Sequence, residues 1–224
     1  MPFRAITANL VLRTALHVGT GNDTETADDL LRRDARGRLL IPGTAIAGAL
    51  RSIATRLAPR LRDGGLCHAV KEKNPKNACG CLVCQLFGDA NPQEDAQGGN
   101  AARVLIYDAV LESSDVQIRD GVGIDRVTGA AARRERIKFD LEVLPAGTTF
   151  KLRIEIDRRL SDEPALYERA LQLLAASLAE WEQGRGAVGG RVSRGLGAFT
   201  LDDVRFIDCD LNKPANLMQM LRSG

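Results

Sequence analysis

Aromatic residues make up only 4% of this chain, with a single tryptophan. That scarcity argues against a platform that stacks bare single-stranded bases one by one. A dominant charge is missing as well: 31 Lys and Arg stand against 29 Asp and Glu, for a formal net charge of +2. Net charge by itself therefore does not announce a polyanionic partner. Histidine is limited to His17 and His68. No apolar run is long enough to span a bilayer, and Met1-Pro2-Phe3-Arg4 lacks the apolar core of a secretion signal. We expect a protein of the cytoplasm of a prokaryote-like cell, with no membrane partner.

What is present is an ordinary globular composition over 224 residues, enough for one domain with a real core and large insertions. Its charges are unevenly spread. Arg32, Arg33, Arg36 and Arg38 form one basic cluster, and Arg133, Arg134, Arg136 and Lys138 form another. Taken alone, either cluster is explained by a solvated face. Of the 5 cysteines, all but Cys209 fall between Cys67 and Cys84. In a cytosolic protein that clustering points to metal rather than to disulfides.

The apolar pattern sets the order of elements. Residues 3–17 alternate in part and predict a long first strand. Residues 19–38 are polar, carry Asp23, Glu25, Asp28, Asp29 and Asp34, and read as an exposed loop. After Ile41-Pro42-Gly43, residues Ile46, Ala49, Leu50, Ile53 and Leu57 recur at helical spacing, a helix of about four turns ending near Pro59. Its other stripe is Thr44, Gly48, Arg51 and Thr55, small enough to let another chain approach closely; a packing face within the protein is the alternative. Residues 64–100 read as an insertion without regular elements. Residues 103–111 read as one buried strand, and 113–145 as a second projecting loop or hairpin. Residues 148–157 alternate as a half-buried strand. Pro164 opens a second helix, and 198–207 is a last strand.

Strand, helix, strand, strand, helix, strand is the split βαβ order of α+β folds of the ferredoxin-like (RRM-like) kind. One domain then spans 1–224. Its palm segments are 3–18, 41–61, 101–111 and 147–207. An acidic loop fills 19–40, a cysteine insertion 62–100 and a projecting hairpin 112–146.

Three constellations carry chemistry. Cys67, Cys79, Cys81 and Cys84 include Cys-x-Cys and Cys-x-x-Cys steps, which set thiolates around one tetrahedral zinc ion. His68 adjoins Cys67 and is the alternative ligand. Four protein ligands leave no open position for water, so the site reads as structural. The segment 184–197 is rich in glycine and carries Arg191 and Arg194. Glycines let backbone amides approach phosphates, and the arginines add charge. The Lys-Ser/Thr ending of a nucleotide-binding loop is missing, which argues against ATP. Last, a carboxylate in the acidic loop can hold a divalent ion or help activate a ribose 2′-hydroxyl.

In this order the segments resemble the repeat-associated (RAMP) superfamily, and within it the backbone subunit of type III CRISPR effector complexes. The resemblance rests on Arg33-Asp34 with residues 37–51, on Cys79-Gly-Cys-Leu-Val-Cys-Gln-Leu-Phe-Gly88, on Asp125-Arg-Val-Thr-Gly-Ala-Ala131 and on Gly190-Arg-Val-Ser-Arg-Gly-Leu-Gly197. It implies a ferredoxin-like palm bearing a zinc insertion and a thumb hairpin. Copies would stack along a guide RNA (crRNA), beside other effector subunits, and complementary target RNA would be cut next to each thumb. It further implies that Asp28, with Asp29 as the alternative, supports cutting with Mg2+ or Mn2+. The RNA contacts it implies are Thr44, Arg51, Arg126, Thr128, Arg191, Ser193, Arg194 and Gly195. The family's serine pair and lysine in the first helix are replaced here by Thr44-Ala45 and Ala47, which shifts the expected guide contact toward Arg51. Two other readings stand beside cutting: a catalytically silent scaffold in the same complex, and a metal-free nuclease that processes precursor guide RNA. The second needs a histidine at the 2′-hydroxyl, and neither His17 nor His68 is well placed by sequence.

Overall fold

The computed structural model describes residues 3–20, 30–61, 67, 79, 81–88, 101–111, 115–125, 127–130, 138–157 and 164–209. Asp28, Asp29, His68 and Arg126 lie outside them, as do Asp23, Glu25, Arg133, Arg134, Arg136 and the side chains of Lys138 and Cys209.

The fold is mixed α/β, built on a five-stranded antiparallel sheet. Strand β1 (Phe3–Leu12) lies at its centre, between β7 (Thr149–Asp157) and β9 (Ala198–Cys209). Strand β3 (Val104–Ile106) flanks β7, and the short β8 (Gly186–Ala187) flanks β9, giving the order β3-β7-β1-β9-β8. Strands β2 (Leu39–Ile41) and β4 (Ala109–Leu111) form a small ribbon, and β5 (Gln117–Val122) with β6 (Lys138–Val143) a hairpin. The helices are α1 (Gly43–Leu57), α2 (Leu82–Phe87) and α3 (Pro164–Glu182).

The alternation that predicts the strands also decides which face is buried. Ile6, Ala8 and Leu10 pair across from Ile154, Leu152 and Phe150, and all six are buried. Thr7, Asn9, Lys151 and Arg153 take the opposite, open face. On the inner side α1 contributes Ile46, Leu50 and Ile53, and α3 contributes Leu173, Leu174, Leu178 and Trp181. Trp181 meets Phe199 edge-to-face at 5.0 Å and 71°. Strand β9 carries a bulge at the Thr7/Asn9 step, where Asp203 takes a positive φ of 53°.

Three sequence expectations change. The first strand stops at Leu12, because Ala198 O accepts from both Arg13 N (2.8 Å) and Thr14 N (3.2 Å) and bends the chain. Beyond the bend Leu16 pairs with Leu144, so residues 3–17 serve both the sheet and the base of the hairpin. The expected strand 103–111 is two strands in different sheets. It breaks because Asp108 Oδ1 accepts from Gly43 N at 2.7 Å and caps α1, whose Pro42 N-cap has no side chain to do so. Gly43 has to be glycine there, since a Cβ would collide with the Ile106 carbonyl oxygen. Finally, the cysteine segment contains α2, which buries Leu82, Val83 and Leu86 in the main core.

A satellite cluster of Ala15, Leu141, Val143 and Leu196 seats the hairpin beside the glycine-rich segment. Among the described residues, no helix is long and apolar enough to cross a membrane.

Candidate nucleic-acid groove and metal centre

Helix α1 presents Thr44 and Gly48 to solvent, while Arg51 and Thr55 of the same stripe are half-buried. Beside that edge, Ala45 and Ala49 face Val18, Gly19 and the segment 187–192 across a cavity of about 460 Å³. Small side chains on the helix and glycines opposite leave the room.

The glycines shape this wall rather than open a cradle of amides. Gly189 (φ +92°) and Gly197 (φ +78°) adopt left-handed backbone, and a Cβ on either would collide with the carbonyl oxygens of His17 and Val188 respectively. Gly190 N donates to His17 O at 2.8 Å, Gly197 N to Ala15 O at 2.8 Å, Gly195 N to Val192 O at 3.0 Å and Arg194 N to Arg191 O at 2.8 Å. An N–H donates once, so these four amides are not available to phosphate, which corrects the reading of the segment from sequence. What the segment turns outward is Ser193, Arg194 and Gly195, all exposed, on a 3-10 turn at Val192–Arg194. Arg191 has left-handed backbone (φ 59°), and its guanidinium lies 4.5 Å from the centroid of Phe139 on the hairpin.

The stem of the acidic loop rises from the same wall. Thr20 N donates to Leu30 O (3.0 Å) and Arg32 N to Val18 O (2.8 Å), so the chain leaves and returns beside Val18 and Gly19. Residues 21–29, with Asp28 and Asp29, lie between those ends. Glu142 of β6 accepts from Leu31 N at 3.0 Å, and its carbonyl meets His17 Nδ1 at 2.8 Å. His17 is 3% exposed, a buried joint between β1, the hairpin and the glycine-rich segment. Asp34, by contrast, is committed to its own turn. It accepts from the backbone of Arg36 and Arg38 (both 2.9 Å) and pairs with Arg38 Nε at 2.8 Å. The Arg38 N–H is the main cause holding its carboxyl below the usual range.

In the segment between β5 and β6, Asp125 Oδ1 accepts from Val127 N (2.7 Å) and Thr128 N (3.0 Å). Those N–H groups, that of Thr128 first, hold the Asp125 carboxyl low. Thr128 is exposed, and Val127 is 95% exposed.

The cysteines converge. The Sγ atoms of Cys67, Cys79, Cys81 and Cys84 all lie within 4.8 Å of one another. Cys67 Sγ and Cys84 Sγ are 3.6 Å apart, far beyond a disulfide of about 2.05 Å. Metal–sulfur bonds of about 2.3 Å around a tetrahedron would separate sulfurs by roughly 3.8 Å, so the donor set fits one ion. Burial pushes the Cys81 thiol up to about 11 and Cys84 higher still. Such crowded sulfurs ionise together only around a cation. The guanidinium of Arg51 points at this cluster: Nη1 donates to Gly88 O (3.1 Å) and Phe87 O (3.4 Å), and Nη2 to Cys84 Sγ (3.6 Å).

Sequence reasoning missed Asp108, Phe139 and Glu142. Glu142 reaches a partner 111 residues away, and nothing in the alternation of β6 signals it. Gly121 is the faint clue to Phe139, whose ring occupies the space a Cβ would take there.

Known proteins supply the frame for these features. "CRISPR system Cms endoribonuclease Csm3" of Methanocaldococcus jannaschii is 25% identical over 206 residues, covering 88% of this chain and 77% of that protein. The protein of the same name from Methanothermobacter thermautotrophicus is 25% identical over 228 residues, covering 89% of this chain and 84% of its own. The RAMP superfamily model matches residues 9–200, from the centre of β1 through the groove wall into β9. With nearly the whole described fold inside that match, the chain belongs to the RAMP superfamily.

Proposed function

We propose that this chain is a guide-RNA-binding backbone subunit of a type III CRISPR effector complex, and that it cuts RNA paired to the guide. Both relatives carry the name of an endoribonuclease of a CRISPR system. The observation that carries the reading is spatial: the groove between α1 and the glycine-rich wall shares Val18 and Gly19 with the stem of the acidic loop. RNA lying in that groove would pass the stem, residues 18–20 and 30–32, that carries the segment with Asp28 and Asp29. The strand order β3-β7-β1-β9 is the order a split βαβ arrangement generates, which supports a ferredoxin-like palm. The β5–β6 hairpin is then the thumb.

In this reading Thr44, Ser193, Arg194 and Gly195 border the guide backbone at the groove. Arg126 and Thr128 act at the thumb tip, and Arg191 at its base. Contacts to phosphates and 2′-hydroxyls suit a subunit that must accept any guide sequence. Asp28, or Asp29, holds the Mg2+ or Mn2+ used in cutting. Zinc on the four cysteines is structural. Partners are guide RNA, complementary target RNA, further copies of the chain and other effector subunits. Precursor processing by His17 is disfavoured, because His17 is buried and already bonded to Glu142; His68 lies outside the described residues.

The test is cleavage of labelled RNA complementary to the guide by the assembled complex with Mg2+ or Mn2+. Regularly spaced cuts that vanish in Asp28→Ala or in Asp29→Ala, with guide binding retained, establish the nuclease and its aspartate. Target bound but intact in the wild type makes the subunit a scaffold.

A further inference from the structure

Arg51 does not line the groove. It sits on α1 one turn beyond Gly48, yet its guanidinium turns to the end of α2 and to sulfur. Two needs are met there at once. Phe87 and Gly88 end α2, where carbonyls lack helical partners and partial negative charge collects. Cys84 is 0% exposed, and four thiolates around one divalent ion carry a net charge of about −2. Charge of that kind is tolerated in a buried place only when donors face it. A guanidinium is permanently charged and presents several N–H groups in a fixed plane, so one side chain serves carbonyl and sulfur together.

We infer that Arg51 is a positioning residue of the metal centre. It donates to the Cys84 sulfur and ties α2 to α1, so metal retention depends on a side chain of the helix that borders the groove. This goes beyond the RNA-binding reading and gives Arg51 a role other than the guide contact that the resemblance implies.

The experiment uses the full chain loaded with zinc or with Co2+, as wild type, Arg51→Ala, Arg51→Gln and Arg51→Lys. Transfer of zinc to a chromophoric chelator should speed up about 10- to 100-fold in Arg51→Ala, the usual effect of losing a partner of a metal ligand. Arg51→Gln, which keeps N–H donors without charge, should recover part of the retention. Arg51→Lys, lacking the planar fork, should recover less. The sulfur-to-cobalt charge-transfer band should move in Arg51→Ala, a change that loosened packing alone would not cause. Zinc release and a cobalt band identical to wild type in all three variants, with guide affinity reduced, would overturn the inference and return Arg51 to the phosphate contacts. A chain that takes up neither zinc nor cobalt would overturn the metal centre and this inference together, leaving the RNA-binding reading to its own cleavage test.

Discussion

The open face of the central sheet holds more charge than the groove on the helix side, yet the groove is where we place RNA. Lys151, Arg153 and Arg205 project from the open face around a cavity of about 380 Å³. Each is answered locally. Lys151 Nζ donates to Asn9 Oδ1 at 2.7 Å, Arg153 pairs with Glu155 at 2.6 Å, and Arg205 pairs with Asp203 at 2.8 Å. Tyr107 donates to Glu155 Oε2 at 3.0 Å and has the Arg153 guanidinium 5.6 Å from its ring centroid. In RRM domains that face stacks bases on bare aromatics; here Tyr107, though 40% exposed, already has its hydroxyl bonded to Glu155 and a guanidinium near its ring. The groove is small-walled and apolar, lined up to Val192, and the residues that follow in the chain, Ser193 and Arg194, are exposed. The difference is one of room against pairing: the open face carries cations that already have local partners, while the groove has small walls and, among the described residues, no charged one in its lining.

The wall of the groove is the first place to press that comparison. Gly197→Ala should cost about 3 kcal/mol, from a left-handed φ plus a collision with Val188 O. Thermal melting should fall by roughly 6–12 °C. Gly195→Ala has similar backbone (φ +85°) but open space around it, and should cost only about 1 kcal/mol. Equal losses would mean that close approach does not shape the wall. Next, Ala49→Trp should fill the groove and weaken guide binding by at least about tenfold, or 1.4 kcal/mol. Lys151→Ala and Arg205→Ala should stay within about twofold, since exposed paired charges contribute little. The reverse ranking in a binding titration would move RNA to the open face.

Smaller effects separate the two surfaces further. Arg194→Ala should weaken binding to any guide sequence alike and make the salt dependence shallower by about one unit of log–log slope. A loss confined to particular sequences would contradict a phosphate contact. The smallest effect concerns Asp203, whose carboxyl the Arg205 side chain holds below the usual range. A depressed carboxylate stabilises the fold above its unfolded range and stops doing so as pH falls through its native value. Melting curves of Asp203→Asn and wild type should therefore differ slightly at neutral pH and converge in acid. Divergence in acid would show that the pair is not what answers Arg205.

How far the sequence could be read follows from where each signal is local. The alternation of β1 and β7 and the spacing in α1 and α3 are written in neighbouring residues, and the elements follow them. The cysteine spacing brought all four sulfurs into one cluster for the same reason. Asp108 escaped because a cap supplied 65 residues away leaves no trace beside Gly43, and it splits a strand that looks continuous by composition. The glycines at 184–197 were read as a phosphate cradle, whereas Gly189 and Gly197 are required by carbonyls of other residues packed against them. Arg51 was placed on the right helix, but its direction depends on α2, a helix that the Gly-, Pro- and Cys-rich stretch around it concealed.

The most direct test of the groove is photocrosslinking of a 4-thiouridine-substituted guide RNA in the assembled complex, followed by mapping of the modified peptides. Crosslinks within residues 44–52 and 189–195 are the predicted result. Crosslinks confined to the open face, at Thr7, Lys151 or Arg205, would contradict the placement of the guide between α1 and the glycine-rich wall.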